Sequence, residues 1–201
     1  INGYKSIYKS SENFFQNINE VPPGCFLIIN HQLQKRISRY WTPSFNQDSS
    51  LAYEDIVEKI RLLIIKSIEL RMRSDVSIAF CMSGGVDSNS IISIANKILK
   101  KDLHGFTIIN KDYRYDEEKI IDEIVKNKGI RHTKIHLNTN EFLPNLKNLI
   151  LYHDAPISTI SNYASWLLHR SIKDRGFKIS ISGLGADELF SGYFDHHLFY
   201  F

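Results

Sequence analysis

The stretch Phe80-Cys81-Met82-Ser83-Gly84-Gly85-Val86-Asp87-Ser88 gathers two hydroxyls, two adjacent glycines and a carboxylate between Ser83 and Ser88. Val76-Ser77-Ile78-Ala79 before it is an apolar segment of strand length. After it, Asn89 to Lys100 sets Ile91, Ala95 and Ile98 on one helical stripe and Ile92 and Leu99 on another. A strand that turns through Ser-Gly-Gly into a helix leaves the first N–H groups of that helix unpaired. Those groups, with the positive end of the helix dipole, favour a phosphate. Gly84 and Gly85 lack a Cβ, so the backbone can turn tightly and approach an anion closely. Ser83 and Ser88 add hydroxyl donors. Asp87 repels the same anion unless a cation intervenes, and Mg²⁺ bridging carboxylate and phosphate removes that objection. The rival reading is a plain glycine turn between strand and helix. Ser-Gly-Gly-x-Asp-Ser is a narrower pattern than that turn requires. It is not a Walker loop, because no Gly-Lys-Ser/Thr follows.

A second stretch has similar chemistry: Ser182-Gly183-Leu184-Gly185-Ala186-Asp187-Glu188-Leu189-Phe190-Ser191-Gly192-Tyr193. Two glycines flank Leu184, and Asp187 and Glu188 open a candidate helix. Acidic residues also suit a helix start through the dipole alone. Taken with the first loop, another reading gains weight. Two strand ends of one sheet, each with glycines and a carboxylate, can hold Mg²⁺ between Asp87 and Asp187.

The elements that must position these loops alternate along the chain. A helix is expected from about Tyr53 to Met72, with Ile56, Ile60, Leu63, Ile64 and Ile68 on one face. Beyond the loop and its helix come a strand at His104 to Ile109 and a helix at Asp116 to Lys128. That helix turns Ile120, Ile121, Ile124 and Val125 inward and stops at Gly129. A strand at His132 to Leu137, helices at Glu141 to Tyr152 and Tyr163 to Asp174, and a strand at Phe177 to Ser182 complete the series. Strands alternating with helices imply an α/β fold, a parallel sheet with right-handed crossovers and helices on both faces. Ligands of such sheets bind at the carboxyl ends of the strands, where both loops lie.

Residues 1–45 read differently. Phe14, Phe15, Ile18 and Val21 lead into a Pro22-Pro23-Gly24 turn. Cys25 to Ile29 and Arg36 to Trp41 are strand candidates around Asn30-His31-Gln32. Such a hairpin is marginal alone and needs further packing. The polar run Asn46-Gln47-Asp48-Ser49-Ser50 reads as a linker, so residues 1–48 and 49–201 are expected to belong to different domains.

At 43% hydrophobic and 23% charged, the 201 residues have an ordinary soluble composition and can bury a real core. A formal charge of +3, dispersed along the chain, argues against a nucleic-acid partner. Apolar runs such as Leu62 to Ile65 and Cys25 to Ile29 are far short of a membrane span. Cys25 and Cys81 make neither a disulfide framework nor a zinc site. Cys81, at the end of an apolar strand, reads as a packed small hydrophobe rather than a nucleophile. His196-His197 and the scattered histidines lack metal-ligand spacing. Tyr193 is expected in the core. Asp154-Ala155-Pro156 reads as a turn, or as a loop facing an acceptor carboxylate. The chain starts at Ile1 without Met, so the absence of a signal peptide carries little weight, and a cytoplasmic location is the expectation.

The segment Ser83 to Ser88 resembles the pyrophosphate loop of the ATP pyrophosphatases, which holds the leaving pyrophosphate while ATP activates an oxygen as its adenylate. Together with Ser182 to Tyr193, about a hundred residues later, it resembles the asparagine synthetase family. Pro22-Pro23-Gly24 and Arg39-Tyr40-Trp41-Thr42-Pro43 are similar to the end of that family's N-terminal glutaminase domain. The resemblance implies a glutamine-hydrolysing domain feeding ammonia to an ATP-pyrophosphatase synthetase domain. It implies that Ser83, Gly84, Gly85, Asp87 and Ser88 hold pyrophosphate. Met82 and Ile108 would lie against the adenosine, Ser182 and Gly183 would border its ribose and α-phosphate, and Asp87 and Asp187 would bind Mg²⁺. Asp116-Glu117 resembles a further acidic pair of the family and reads equally as a solvated helix start.

Three departures accompany the resemblance. The family's usual glutamate between the glycines of the second motif is Leu184 here, and leucine cannot take a proton from an attacking ammonia. There is no N-terminal cysteine nucleophile, and the chain stops at Phe201, so it reads as an internal fragment. The expected activity is an ATP- and Mg²⁺-dependent amide ligase of the asparagine synthetase type. It would join a carboxylate, aspartate or larger, to glutamine-derived ammonia or another amine, with a homodimer allowed at full length. Alternatives are another ATP pyrophosphatase, such as a guanylate-forming amidotransferase or a tRNA-modifying enzyme, and a catalytically silent nucleotide-binding protein.

Overall fold

The computed structural model describes residues 15–44, 50–110, 112, 116–157 and 159–200. Phe14 and residues 46–49 of the expected linker lie outside the described residues. Strands β1 (Cys25–Ile29) and β2 (Lys35–Arg39) pair antiparallel, with Leu27 opposite Ile37. Their turn is organised by Asn30, whose Oδ1 accepts the N–H groups of Gln32 at 3.0 Å and Gln34 at 2.9 Å. Phe26, Ile28, Ile29 and Ile37 of this hairpin are exposed.

The remaining strands are short, β3 (Ile78–Cys81), β4 (His104–Ile109) and β6 (Ile179–Ile181) mostly apolar and β5 (Arg131–His136) mostly polar. They form one parallel sheet in the order β5-β4-β3-β6. The helix α1 (Tyr53–Arg71) precedes β3, and between the strands run α2 (Val86–Ser93), α3 (Glu118–Lys128), α4 (Phe142–His153) and α5 (Ile160–Asp174). After β6 come α6 (Ala186–Phe190) and α7 (Phe194–Tyr200).

Alternation along β3 divides the core, because successive side chains point to opposite faces. Phe80, with Met82 just beyond the strand, packs with Ile92, Ala95, Leu103 and Ile130, and Met72, Ile124 and Val125 close that side. Ala79 packs with Phe106 and with Ile172 and Leu168 of α5 on the other. Both faces are therefore covered, as a parallel sheet requires. Phe80, Phe106, Ile92, Leu103 and Ile121 are fully buried, each stabilising by about 1.5–3 kcal/mol.

Several expected details change. The helix after the loop starts at Val86 and passes at Ile94–Ile98 into a π turn, in which the Leu99 N–H bonds the Ile94 carbonyl at 2.9 Å. The wider turn breaks the expected stripe, so Ile92 and Ala95 are buried while Ile98 is exposed. On α1 only Ile68 of the expected face is buried, and Leu63 is 62% exposed. On α3, Ile121 is buried and Ile120 is exposed, because a single-sided contact admits a narrower stripe than four isoleucine and valine positions offer. Tyr193 is not core: it is 45% exposed, its hydroxyl 3.0 Å from the Glu188 carboxylate.

Candidate functional site

The strand order fixes where a ligand can lie. From β3 the chain moves outward to β4 and β5, then returns to place β6 on the opposite side of β3. The crossovers thus diverge between β3 and β6, opening a crevice at the carboxyl ends of these two strands. The residues leaving β3 are Met82 to Gly85, and those leaving β6 are Ser182 to Gly185. The two motifs meet at the one switch point of the sheet.

A cavity of about 360 Å³ fills that crevice, lined from β3 and α2 by Cys81, Met82, Ser83, Gly85, Asp87 and Ser88. From the β6 side it is lined by Ser182, Gly183, Leu184, Gly185, Asp187, Glu188 and Tyr193. The walls touch closely at Gly183. A Cβ there would stand 3.0 Å from the Asp87 Cβ and 3.1 Å from the Ser88 backbone nitrogen. Only glycine lets the second loop pass the first turn of α2 at that distance.

Hydrogen bonds shape the first loop. Ser83 and Ser88 hydroxyls lie 3.0 Å apart, and the Ser83 N–H donates to Ser88 Oγ at 3.2 Å. The Gly85 N–H donates to Ser83 Oγ at 3.2 Å, and the Gly84 N–H donates to Glu117 Oε2 at 2.7 Å. Asn89 Nδ2 braces the turn by donating to the carbonyls of Ser83, 3.1 Å away, and Gly85, 2.8 Å away. Gly85 caps α2 without a side-chain acceptor for the first helical N–H groups, which keeps the dipole end directed at the cavity.

Beneath the loop, Thr107 donates to the Met82 carbonyl at 3.1 Å. Having spent its hydrogen there, the Thr107 hydroxyl accepts from His132 Nε2 at 3.0 Å. Burial lowers the pKa of His132, with the Lys134 charge adding to the effect, and burial likewise lowers that of His104. Burial raises the pKa of the Cys81 thiol, partly offset by a bond with Ser180, which suits a packed thiol and not a nucleophile. Glu188 is held below the ordinary carboxyl range by its own backbone N–H first and the Tyr193 hydroxyl next. The Tyr193 phenol is pushed up mainly by Glu188, with the charges of Asp187 and Asp87 adding to it.

Of the expected site residues, Met82, Ser83, Gly85, Asp87, Ser88, Ser182, Gly183 and Asp187 border one cavity. Gly84 stands beside it, bound to Glu117. Ile108, in β4 opposite Ile135, does not line it. Tyr193 and Glu188 form a hydrogen-bonded pair at the edge of the cavity that the sequence signals only by their spacing across a short helix and Gly192. Asp116-Glu117 stands out in the sequence as an acidic pair, but nothing local points to the Glu117 bond with Gly84, which lies 33 residues away. A larger cavity of about 810 Å³ lies along α4 and α5 and includes Asp154, Ala155 and Pro156. Phe15, Phe142, Leu146, Ile150 and Tyr163 make it largely apolar. It is the greater space but has neither the paired carboxylates nor the glycines of the crevice.

Asp87 and Asp187 both face the crevice, but among the described residues no three His, Cys, Asp or Glu side chains converge as a metal cage. Two carboxylates completed by phosphate oxygens and water are a set Mg²⁺ accepts. The residues present fit that ion.

Comparison with known proteins agrees with this geometry. Over 189 residues the chain is 28% identical to a putative asparagine synthetase (glutamine-hydrolyzing) of Mycobacterium tuberculosis, covering 90% of this chain and 28% of that protein. It is 25% identical over 177 residues to asparagine synthetase (glutamine-hydrolyzing) 1 of Bacillus subtilis, covering 88% and 28%. It is 22% identical over 200 residues to the amidase chyE of Penicillium rubens, covering 91% and 30%. The chain therefore spans less than a third of the length of these relatives. In fold it is similar to the U34-tRNA thiolase NcsA of Methanococcus maripaludis, with a TM-score of 0.51 at 16% identity over 75% of this chain and 52% of that one. The asparagine synthase family model matches residues 59–200, which include both loops and the whole parallel sheet, and the chain belongs to the asparagine synthase family.

Proposed function

We propose that the chain carries the nucleotide site of an ATP-dependent amide-forming ligase, which activates a carboxylate as its acyl-adenylate with release of pyrophosphate. Ammonia derived from glutamine, or another amine, then attacks the acyl-adenylate and AMP leaves. The observation that supports this best is the meeting of the Ser83 to Ser88 loop with the Ser182 to Asp187 loop at the switch point of the sheet. Family membership supports the reaction class.

Each residue has a defined task in this reading. The Ser83 and Ser88 hydroxyls and the N–H groups at the start of α2 hold the pyrophosphate as it departs, where negative charge accumulates. Met82 lies against the adenosine, Ile108 stands outside the crevice lining and is given no contact with it, and Ser182 and Gly183 border the ribose and α-phosphate. Asp87 and Asp187 hold Mg²⁺, whose contribution is to neutralise phosphate charge. Much of the acceleration comes from holding carboxylate and α-phosphate together in one crevice. The test is isotope exchange between labelled pyrophosphate and ATP in the full-length protein. It should depend on a carboxylate and fall more than tenfold in Asp87→Asn, which keeps size and removes charge. Undiminished exchange in a folded Asp87→Asn protein removes Asp87 from the site.

A further inference from the structure

The three backbone N–H groups of the Ser83-Gly84-Gly85 turn do not have equivalent partners. Those of Ser83 and Gly85 bond to hydroxyls inside the loop, whereas that of Gly84 bonds to a carboxylate from another crossover. At 2.7 Å this is a short, charge-assisted bond. The carboxylate also lies flat on the glycine. A Cβ on Gly84 would be 3.0 Å from Glu117 Cδ and 3.2 and 3.3 Å from its two oxygens. Glu117 thus offers the loop what a phosphate offers, an anionic oxygen in contact with bare backbone.

Glu117 is held so that its side chain can leave without its backbone. It caps α3, its carbonyl accepting the Ile121 N–H at 3.0 Å. Next to it, the Asp116 carboxylate accepts the Glu118 N–H at 2.9 Å. Departure of the carboxylate from Gly84 therefore needs only side-chain rotation, and the helix start stays in place.

We propose that Glu117 is an internal anion competing for the Gly84 N–H, which a phosphate group must displace before it can take that donor. The inference rests on reading the loop as a phosphate site. It makes Glu117 a determinant of selectivity: an anion with several charged oxygens can afford the exchange, and a weak monoanion cannot.

The experiment is calorimetric titration of the full chain with inorganic pyrophosphate in excess Mg²⁺, which offsets the charge of Asp87, comparing wild type, Glu117→Gln, Glu117→Ala and Ser88→Ala. The two Glu117 variants should bind pyrophosphate about tenfold tighter or more, a difference of ~1.4 kcal/mol. Without ligand, the Gly84 amide proton should move upfield in Glu117→Gln, because a neutral acceptor binds it more weakly. Unchanged or weaker binding in both Glu117 variants, or an unmoved Gly84 resonance, overturns the proposal. If binding is lost in Ser88→Ala and unaltered in the Glu117 variants, the phosphate reading of the loop stands and this inference alone falls. If pyrophosphate binds to none of the four proteins, both fall.

Discussion

Gly183→Ala tests whether the two loops are packed as described. The added Cβ would meet Asp87 Cβ at 3.0 Å, Ser88 N at 3.1 Å and the Asp87 carbonyl carbon at 3.3 Å. Ordinary contact begins near 3.4 Å, so something must move by a few tenths of an ångström. The neighbours are the first turn of α2, not the tip of a flexible side chain. That turn is tied down by Ser88 Oγ donating to the carbonyls of Ser83 and Gly85, each at 3.2 Å, and by the Asn89 amide. Overpacking of this kind costs about 1–3 kcal/mol, which lowers Tm by about 2–12 °C in a chain of this size. Moving α2 also misplaces Asp87 and Ser88, so magnesium pyrophosphate should bind about tenfold more weakly or worse, roughly the loss of one hydrogen bond to a charged group. Thermal melts followed by circular dichroism read the first effect and calorimetric titration reads the second. Gly129→Ala is the control. Its φ of 61° makes alanine strained, but no atom lies within 4 Å of the new Cβ, so it should lose about 1–2 kcal/mol of stability with unaltered affinity. Wild-type Tm and affinity in Gly183→Ala would refute the contact between the loops.

Stability should also depend on pH through His104 and His132. Both are depressed below the ordinary histidine value of 6.5, chiefly by burial. The folded chain therefore binds fewer protons than the unfolded one as pH falls below about 6.5. Their contribution is complete above 6.5 and is lost as pH drops through the lowered folded values. A Tm that does not fall between pH 7.5 and pH 5.5 contradicts this. At the mouth of the crevice, Leu184 is 90% exposed and offers no base. The full-length protein should therefore form asparagine from aspartate and ammonia poorly, and should prefer a larger carboxylate or a stronger amine nucleophile. Efficient asparagine formation in a purified assay would show that another residue serves the ammonia.

Much of the fold was legible because its signals are local. The strand His104 to Ile109 and the stop at Gly129, with φ of 61°, follow from apolar runs and a residue free to adopt a left-handed turn. The two loops were legible for the same reason, being contiguous. What the sequence concealed is relational. The π turn at Ile94 to Ile98 leaves Ala95 buried and turns Ile98 of the same expected stripe to solvent, and no periodicity announces a wider turn. The aliphatic face of α1 promised deeper burial than Leu63 finds. Tyr193 looked like core because aromatic residues usually are, yet a charged neighbour, Glu188, holds its hydroxyl at the crevice. The bond between Gly84 and Glu117 joins two crossovers, and only the strand order brings them together.

In the function proposed above, the crevice between β3 and β6 activates a carboxylate at the α-phosphate of ATP and retains the pyrophosphate. The most direct measurement uses full-length protein, labelled pyrophosphate, ATP and Mg²⁺, with a panel of candidate carboxylates and no amine. Label should enter ATP only when an acceptable carboxylate is present, and Asp87→Asn should slow that entry more than tenfold while the protein stays folded. Label entering ATP at the same rate without any carboxylate, or at an unchanged rate in Asp87→Asn, would rule out this role for the crevice.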